Sequence, residues 1–477
     1  MDEITLMNRF RGWIALVILA VSWCALYWIT GSRTPWNQFN TGSNGQGVSV
    51  FLGDVPVINY DRMGFTKALV RYIKAEDAWL VGTERGELFI FNNEGRVLWK
   101  RSLGIGKLIS VCISNDTKTA YIGEASPEGS LFAINVKTGD VIWQHKASDF
   151  VGTEASLRSH PSIVHIAVDK EDNVFANCYR FKMTKDGTRS YSAKMLAIEK
   201  SGKLLWQYPA NETIDCWINW CDVNDNNGKV VISTSAYDYR PDMKYRDTLY
   251  FLDKKTGTKV NSVWVPPVPP FENTVVRSSP NYSKDGRFLA ASCSDGRGML
   301  FDSVGNLLWT RFVSVPANVD NTWINASGRD GFVTDYGVTF TTINTFNREN
   351  WQLPTPLEHP SNNSIFLFGL DGEFKYQFKA EGTMEELAFA DNLVACAVGR
   401  NVRTHNYAAH GMLLVDLKDG KEKLFHHTEG PCQAIDISAD GSKVAAVEAP
   451  VLTPQGKILG AYRLHIWETG LGGKGND

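Results

Sequence analysis

One pattern recurs along most of the chain. An apolar strand runs into a polar turn ending in glycine, and a second strand follows that often ends in tryptophan. It reads LFIFNNEGRVLW at 88–99, LFAINVKTGDVIW at 131–143, MLAIEKSGKLLW at 195–206 and LYFLDKKTGTKV at 249–260. It returns as GMLFDSVGNLLW at 298–309, IFLFGLDGEFKY at 365–376, MLLVDLKDGKEKLF at 412–425 and the half-copy LHIWETG at 464–470. The alternating strand has one face to bury. The polar segment makes the hairpin turn, with glycine taking the positive φ. The tryptophan supplies large buried area between neighbouring copies. A single hairpin is not stable alone, so the copies must stack.

The turn glycines fall at 95, 139, 202, 257, 305, 372, 420 and 470, at intervals of 44 to 67 residues. A four-stranded blade needs about 40–50 residues, so several copies carry insertions. Uneven spacing favours a closed ring over a linear solenoid. The expected fold is all-β, one eight-bladed propeller, with seven blades as the alternative. The last copy stops after its third strand, and VSVFLGDVPV at 48–57 has a strand pattern without a repeat of its own. These residues are expected to supply the missing strand and close the ring, which removes exposed edges.

The repeat resembles a known family. Ala133-x-Asn135-x-x-Thr138-Gly139-x-x-x-Trp143 is similar to the repeat of PQQ-like (quinoprotein dehydrogenase-like) β-propellers, and Ala197, Gly202 and Trp206 match part of it again. The resemblance covers roughly 48–470. It implies a propeller fold, and a function that is either quinone-dependent dehydrogenation or, as in the propeller of outer-membrane protein assembly, non-catalytic. The dehydrogenases of the family carry an adjacent Cys-Cys pair. This chain has eight cysteines and no two are adjacent, so a member that binds no quinone, and no other cofactor, is expected.

Ahead of the repeats, residues 13–30 read WIALVILAVSWCALYWIT without a charge. About 20 apolar residues span a bilayer, so this segment is expected to be a single-pass signal anchor. A cleaved signal peptide is the rival, but bulky Tyr27, Trp28 and Ile29 follow the apolar core where small residues are needed. Arg9 and Arg11 precede the span, which places the tail 1–12 in the cytoplasm by the positive-inside bias. A polar linker follows at 31–47, then the propeller at 48–470 on the periplasmic or extracellular side, and a disordered tail at 471–477. The formal net charge is −3 with no Lys/Arg block, which argues against nucleic acid.

The insertions are the first place to seek function. Counting four strands per blade, they fall between the second and third strands at 180–194, 238–247, 343–362, 400–410 and 449–461. These connections share one face with those between blades. They offer Tyr239, Arg240, Tyr245, Arg348, Trp351, Arg403, His405 and Tyr407, residue types suited to a protein partner. Tolerated surface loops are the plain alternative. Two sets of equivalent positions lie near the channel mouth. Arg158, His160 and Arg277 form one, and Trp217 and Trp323 the other. They are ligand-binding candidates for an anion or an aromatic group, or they simply pack blade to blade.

Two weaker signals remain. Asp222, Asn224 and Asn226 faintly resemble a calcium loop, although a turn between strands explains them as well. Cys216 and Cys221 flank an expected loop and are a disulfide candidate in an oxidising compartment. There is no Walker loop, no dinucleotide glycine fingerprint, no HExxH and no Gly-x-Ser-x-Gly. The expected function is a non-catalytic interaction scaffold in an envelope or membrane complex. An extracytoplasmic enzyme resembling propeller-fold arylsulfotransferases, using His160, Arg158 and Arg277, is the alternative. A small-ligand or ion sensor is the third reading.

Overall fold

The computed structural model describes residues 38–39, 47–61, 64, 66–153, 160–185, 187–235, 243–246, 248–347, 355 and 357–471. The expected anchor at 13–30 lies outside the described residues. Among the described residues, no helix is long and apolar enough to cross a membrane.

The strands form mostly antiparallel meanders, and the pairing of Ser162 with Ala125 joins the second and third of them at one edge. Sheet 1 comprises Ala68–Ile73, Ala78–Thr83, Glu87–Asn92 and Val97–Ser102. Sheet 2 spans 107–146, sheet 3 spans 162–208, sheet 4 spans 217–263 and sheet 5 spans 281–312. Sheet 6 spans 322–379 and sheet 7 spans 384–427. Sheet 8 takes Cys432–Ile437, Lys443–Glu448 and Arg463–Glu468 from one end of the chain. Its fourth strand, Gly47–Phe51, comes from the other end.

Burial explains the meander. Every residue of Ala78–Thr83 is buried, while Val97–Ser102 is mostly exposed. Middle strands are therefore covered on both faces by neighbouring sheets, and the fourth strand forms the rim. That is propeller-like stacking of sheets around a centre. The core lies between sheets, as where Leu80 and Ile90 of sheet 1 pack with Ile122 and Ile134 of sheet 2.

The repeat's tryptophan and glycine meet across these seams. Trp99 Nε1 donates to Val136 O at 2.8 Å, Trp143 to Lys200 O at 2.9 Å, Trp206 to Lys254 O at 2.9 Å and Trp309 to Leu370 O at 2.8 Å. Each carbonyl sits in the next sheet's glycine turn. Gly139 (φ 73°) and Gly202 (φ 93°) adopt the left-handed region there. A Cβ would stand 2.8 Å from Trp99 Cε3 at the first and 2.7 Å from Trp143 Cγ at the second. Glycine is thus required by both backbone and space. Tyr376 replaces tryptophan at the seam between sheets 6 and 7, and Asn261 at that between sheets 4 and 5.

Closure follows the sequence expectation. Gly47–Phe51 pairs antiparallel with Arg463–Glu468, from Gly47 opposite Trp467 to Phe51 opposite Arg463. Val50, Leu464 and Ile466 of sheet 8 share one core with Trp79, Phe89 and Phe91 of sheet 1. One further strand was not expected. Gln38–Phe39 pairs with the outer edge of Gly47–Phe51.

Two expectations fail because strand continues where loop was read. Residues 180–194 are not a free loop. Val174–Met183 and Arg189–Ile198 pair without interruption from Val174–Ile198 to Met183–Arg189, so the insertion lengthens a hairpin. The segment after Cys216 is the strand Trp217–Asn224. At about 3.3 Å per residue, five residues of strand hold Cys216 and Cys221 roughly 16 Å apart. No disulfide joins them, so the disulfide candidate is set aside.

Candidate functional face

Second-to-third connections and those between sheets leave the same face, and two regions of it differ. Over sheets 3 and 4 stands the lengthened hairpin, with Lys182, Met183 and Lys185 exposed. The Arg180 guanidinium donates to Val151 O at its base, and Arg189 lies 5.5 Å over the Phe181 ring. Beside it, Tyr245 donates to Glu212 Oε1 at 3.0 Å and packs on Tyr208 and Tyr250. Tyr239, Arg240, Arg348 and Trp351 lie outside the described residues.

Over sheets 7, 8 and 1 the loops are filled by the chain itself. After the closing strand, Ile58–Asn59 pairs in parallel with Val451–Leu452, and Tyr60 N donates to Leu452 O at 2.8 Å. Tyr60 is fully buried (0% exposed). Its ring lies 5.1 Å from Tyr407, 5.5 Å from His405 and 5.7 Å from His410. His405 Nε2 meets Asp61 Oδ1 at 2.5 Å. Arg400 donates to the carbonyls of Asn59 and Tyr60, 3.2 Å each, and to that of Gly64. Of the partner-binding candidates, His405 and Tyr407 therefore contact residues 60 and 61, and Arg403 donates to Thr345 O at 3.4 Å. Arg400 and His410 delimit the 400–410 insertion without being among its candidates, and Tyr60 lies outside both the repeats and the insertions.

The channel-mouth set is not assembled among the described residues. Arg158 lies outside them. His160 Nδ1 is buried without a hydrogen-bond partner, and no hydrogen bond or ion pair joins His160 to Arg277. Trp217 stacks on Tyr179 at 5.2 Å, which is packing between sheets 4 and 3. Trp323 is half-buried and sits opposite Asn318 in a short hairpin. What the two Trp-Ile-Asn copies share is the asparagine. Asn219 donates to Val276 O at 2.9 Å and Asn325 to Ser294 O at 3.2 Å, so both stitch neighbouring sheets.

The calcium candidates diverge. Asp222 accepts Tyr282 N at 2.7 Å from the inner strand of sheet 5. Asn224 donates to Gly286 O and caps its own turn through Asn226 N, while Asn226 donates to Asp285 O. Their oxygens do not face one point. Three other carboxylates do converge, Asp169, Glu171 and Asp225. The Lys254 ammonium already sits among them at 3.1, 3.1 and 2.6 Å.

The inner strands carry a further polar set. Arg71 donates to Glu386 Oε1 at 3.0 Å across the seams of sheets 7, 8 and 1. Glu386 Oε2 accepts Ile435 N at 3.1 Å, and Asp436 accepts Tyr72 N at 2.7 Å. Burial pushes Asp222 and Asp436 up to about 6. His165, stacked 3.4 Å from Trp220, is pushed down by burial to about 3 and stays neutral. The carboxylates named here already accept backbone N–H groups, so they tie sheets together rather than await a substrate.

Comparison with known proteins agrees with this architecture. Residues 63–240 match a PQQ-repeat family model described as outer membrane protein assembly factor BamB. Over those residues the chain resembles the PQQ-like repeat family, and the strand architecture is that of a β-propeller. The chain is similar in fold to BamB from Moraxella catarrhalis, at 14% identity and a TM-score of 0.50, covering 89% of this chain and 99% of that one. The β-propeller domain of Cps50 (Swd1) from Myceliophteria thermophila matches at 12% identity and a TM-score of 0.40, covering 85% of this chain and 98% of that one. No curated protein matches.

Proposed function

We propose that the chain is a non-catalytic interaction scaffold: an eight-bladed disc, tethered outside the cytoplasm by residues 13–30, that carries a protein partner in an envelope or membrane complex. The observation that carries this reading is the lengthened hairpin of sheet 3. Ten residue pairs raise it above the face, and it ends in exposed Lys182, Met183 and Lys185. An ordered, partly apolar and basic projection suits a docking contact. The PQQ-like family match supports the scaffold class.

The triple substitution Lys182→Glu, Met183→Ser and Lys185→Glu tests it. Co-purification of the partner from solubilised membranes should fall at least tenfold, while circular dichroism and the melting temperature stay unchanged. Undiminished co-purification would move the contact off this hairpin. The tether is tested separately. Removal of residues 1–37 should release the protein from membranes that otherwise retain it under alkaline carbonate extraction.

A further inference from the structure

The opposite half of the face holds a second site, independent of that reading. Residues 58–61 are bound there much as a peptide is bound by a receptor. Strand addition supplies main-chain recognition through Val451–Leu452. A closed pocket takes the Tyr60 side chain. Its hydroxyl lies 3.2 Å from His410 Nε2 and accepts Asn401 N at 3.2 Å. His410 Nδ1 lies 3.0 Å from Glu429 O. One tautomer satisfies all three contacts, with the proton on Nδ1 and Nε2 accepting from Tyr60. Burial lowers His410 to about 4, so that neutral form prevails. His405 reads the acidic residue that follows, and Arg400 gathers the carbonyls of the bound strand.

We propose that loops 400–410 and 449–459 form a receptor for an extended segment with a tyrosine followed by an acidic residue. In this structure the chain's own Ile58-Asn59-Tyr60-Asp61 fills it in cis. A partner segment of the same chemistry enters when that strap leaves. The strap lies just after the closing strand, so the receptor reports whether this end of the chain is docked. A cis segment on a short connection competes at an effective concentration of roughly millimolar. A trans ligand therefore binds weakly until the strap is disabled.

The test uses the full chain, its Tyr60→Ala variant, and a labelled peptide of residues 55–61, VPVINYD. Fluorescence anisotropy should show saturable binding to Tyr60→Ala and at least tenfold weaker binding to the wild type. Peptide with alanine for tyrosine should bind neither. Arg400→Ala added to Tyr60→Ala should abolish binding. Equal binding to wild type and variant, or none to a folded variant, overturns the proposal.

Hydrogen exchange on the wild type provides a check that needs no variant. The Tyr60 amide should exchange at least 100-fold faster than the Ile466 amide, through local release of the strap. Equal protection would make residues 58–61 part of the ring and overturn the proposal. A concentration-dependent dimer with exchanged straps would assign the receptor to a second copy and overturn it as well.

Discussion

At the seam between sheets 1 and 2, Trp99 reaches over Gly139 and donates to the turn carbonyl of Val136. At the seam between sheets 8 and 1, Val48 and Val50 stand against Gly95 where that aromatic would be. The first seam joins sheets that follow one another in the chain. The second joins the two ends of the chain, and the loop-closure entropy must be met by non-covalent ties alone. Beside the apolar core that Val50, Leu464 and Ile466 share with Trp79, Phe89 and Phe91, part of those ties is polar. Within sheet 8, where the two chain ends pair, Ser49 Oγ lies 2.7 Å from His465 Nδ1, and His465 Nε2 lies 2.8 Å from Glu448 Oε2. Asp436 and Glu386 add carboxylate stitches, and the strap at 58–61 lies across the top. Several repeated seams carry an aromatic latch, whereas the closing seam lacks one and adds polar ties to its apolar core.

The largest effect is expected at a latched seam. Trp206→Ala should cost about 3–5 kcal/mol, read from the urea midpoint, because ring packing on Gly257 and the bond to Lys254 O are lost together. At the closing seam, Glu448→Ala leaves Gly430 N and His465 Nε2 buried without their acceptor. A loss of about 2–3 kcal/mol is expected there. If Glu448→Ala costs more than Trp206→Ala, the polar closure outweighs the latch and the comparison reverses.

The two buried acids set a pH dependence. Burial raises Asp222 and Asp436 to about 6, so the folded state holds their protons more tightly than the unfolded chain, where an aspartate titrates near 3.9. Their contribution is full below about pH 4 and is lost as the pH rises through about 6, by roughly 2–3 kcal/mol per group. His410, lowered by burial, changes in the opposite sense. The double variant Asp222→Asn, Asp436→Asn isolates the acids. It should be more stable than the wild type at pH 7 and close to it at pH 4. Equal midpoints at both pH values would remove the acids from the account.

Smaller effects sharpen the comparison. Ser49→Ala should cost about 1 kcal/mol and speed hydrogen exchange in 463–468 without touching 88–92. Reducing agent should leave the melting temperature unchanged, because no disulfide joins Cys216 and Cys221. A drop on reduction would contradict the strand assignment of 217–224.

The ring was legible in the sequence because its physics repeats. Gly139, Gly202 and Trp143 recur at positions where one backbone conformation and one neighbour demand them. The missing fourth strand at 48–57 could be found by the same count. The site was less legible. His405 and Tyr407 read as partner-binding loop residues, yet they meet Tyr60, about 345 positions earlier, and nothing in residue type signals such a pairing. Trp217 and Asn219 repeat at 323 and 325 for packing and stitching, so repetition pointed to structure where function was sought. The carboxylate stitches at Glu386 and Asp436 were missed because an isolated acid in a strand carries no period.

The short strand Gln38–Phe39 also sets how the molecule bears load. It runs antiparallel to the closing strand and hydrogen-bonds to its outer edge. Tension entering ahead of Gln38 first peels this two-residue hairpin open, one rung at a time and at low force. Only then does it reach the five residue pairs between Gly47–Phe51 and Arg463–Glu468. The hairpin is thus a mechanical fuse in series with the clasp of the ring, and it gives way before the clasp is loaded.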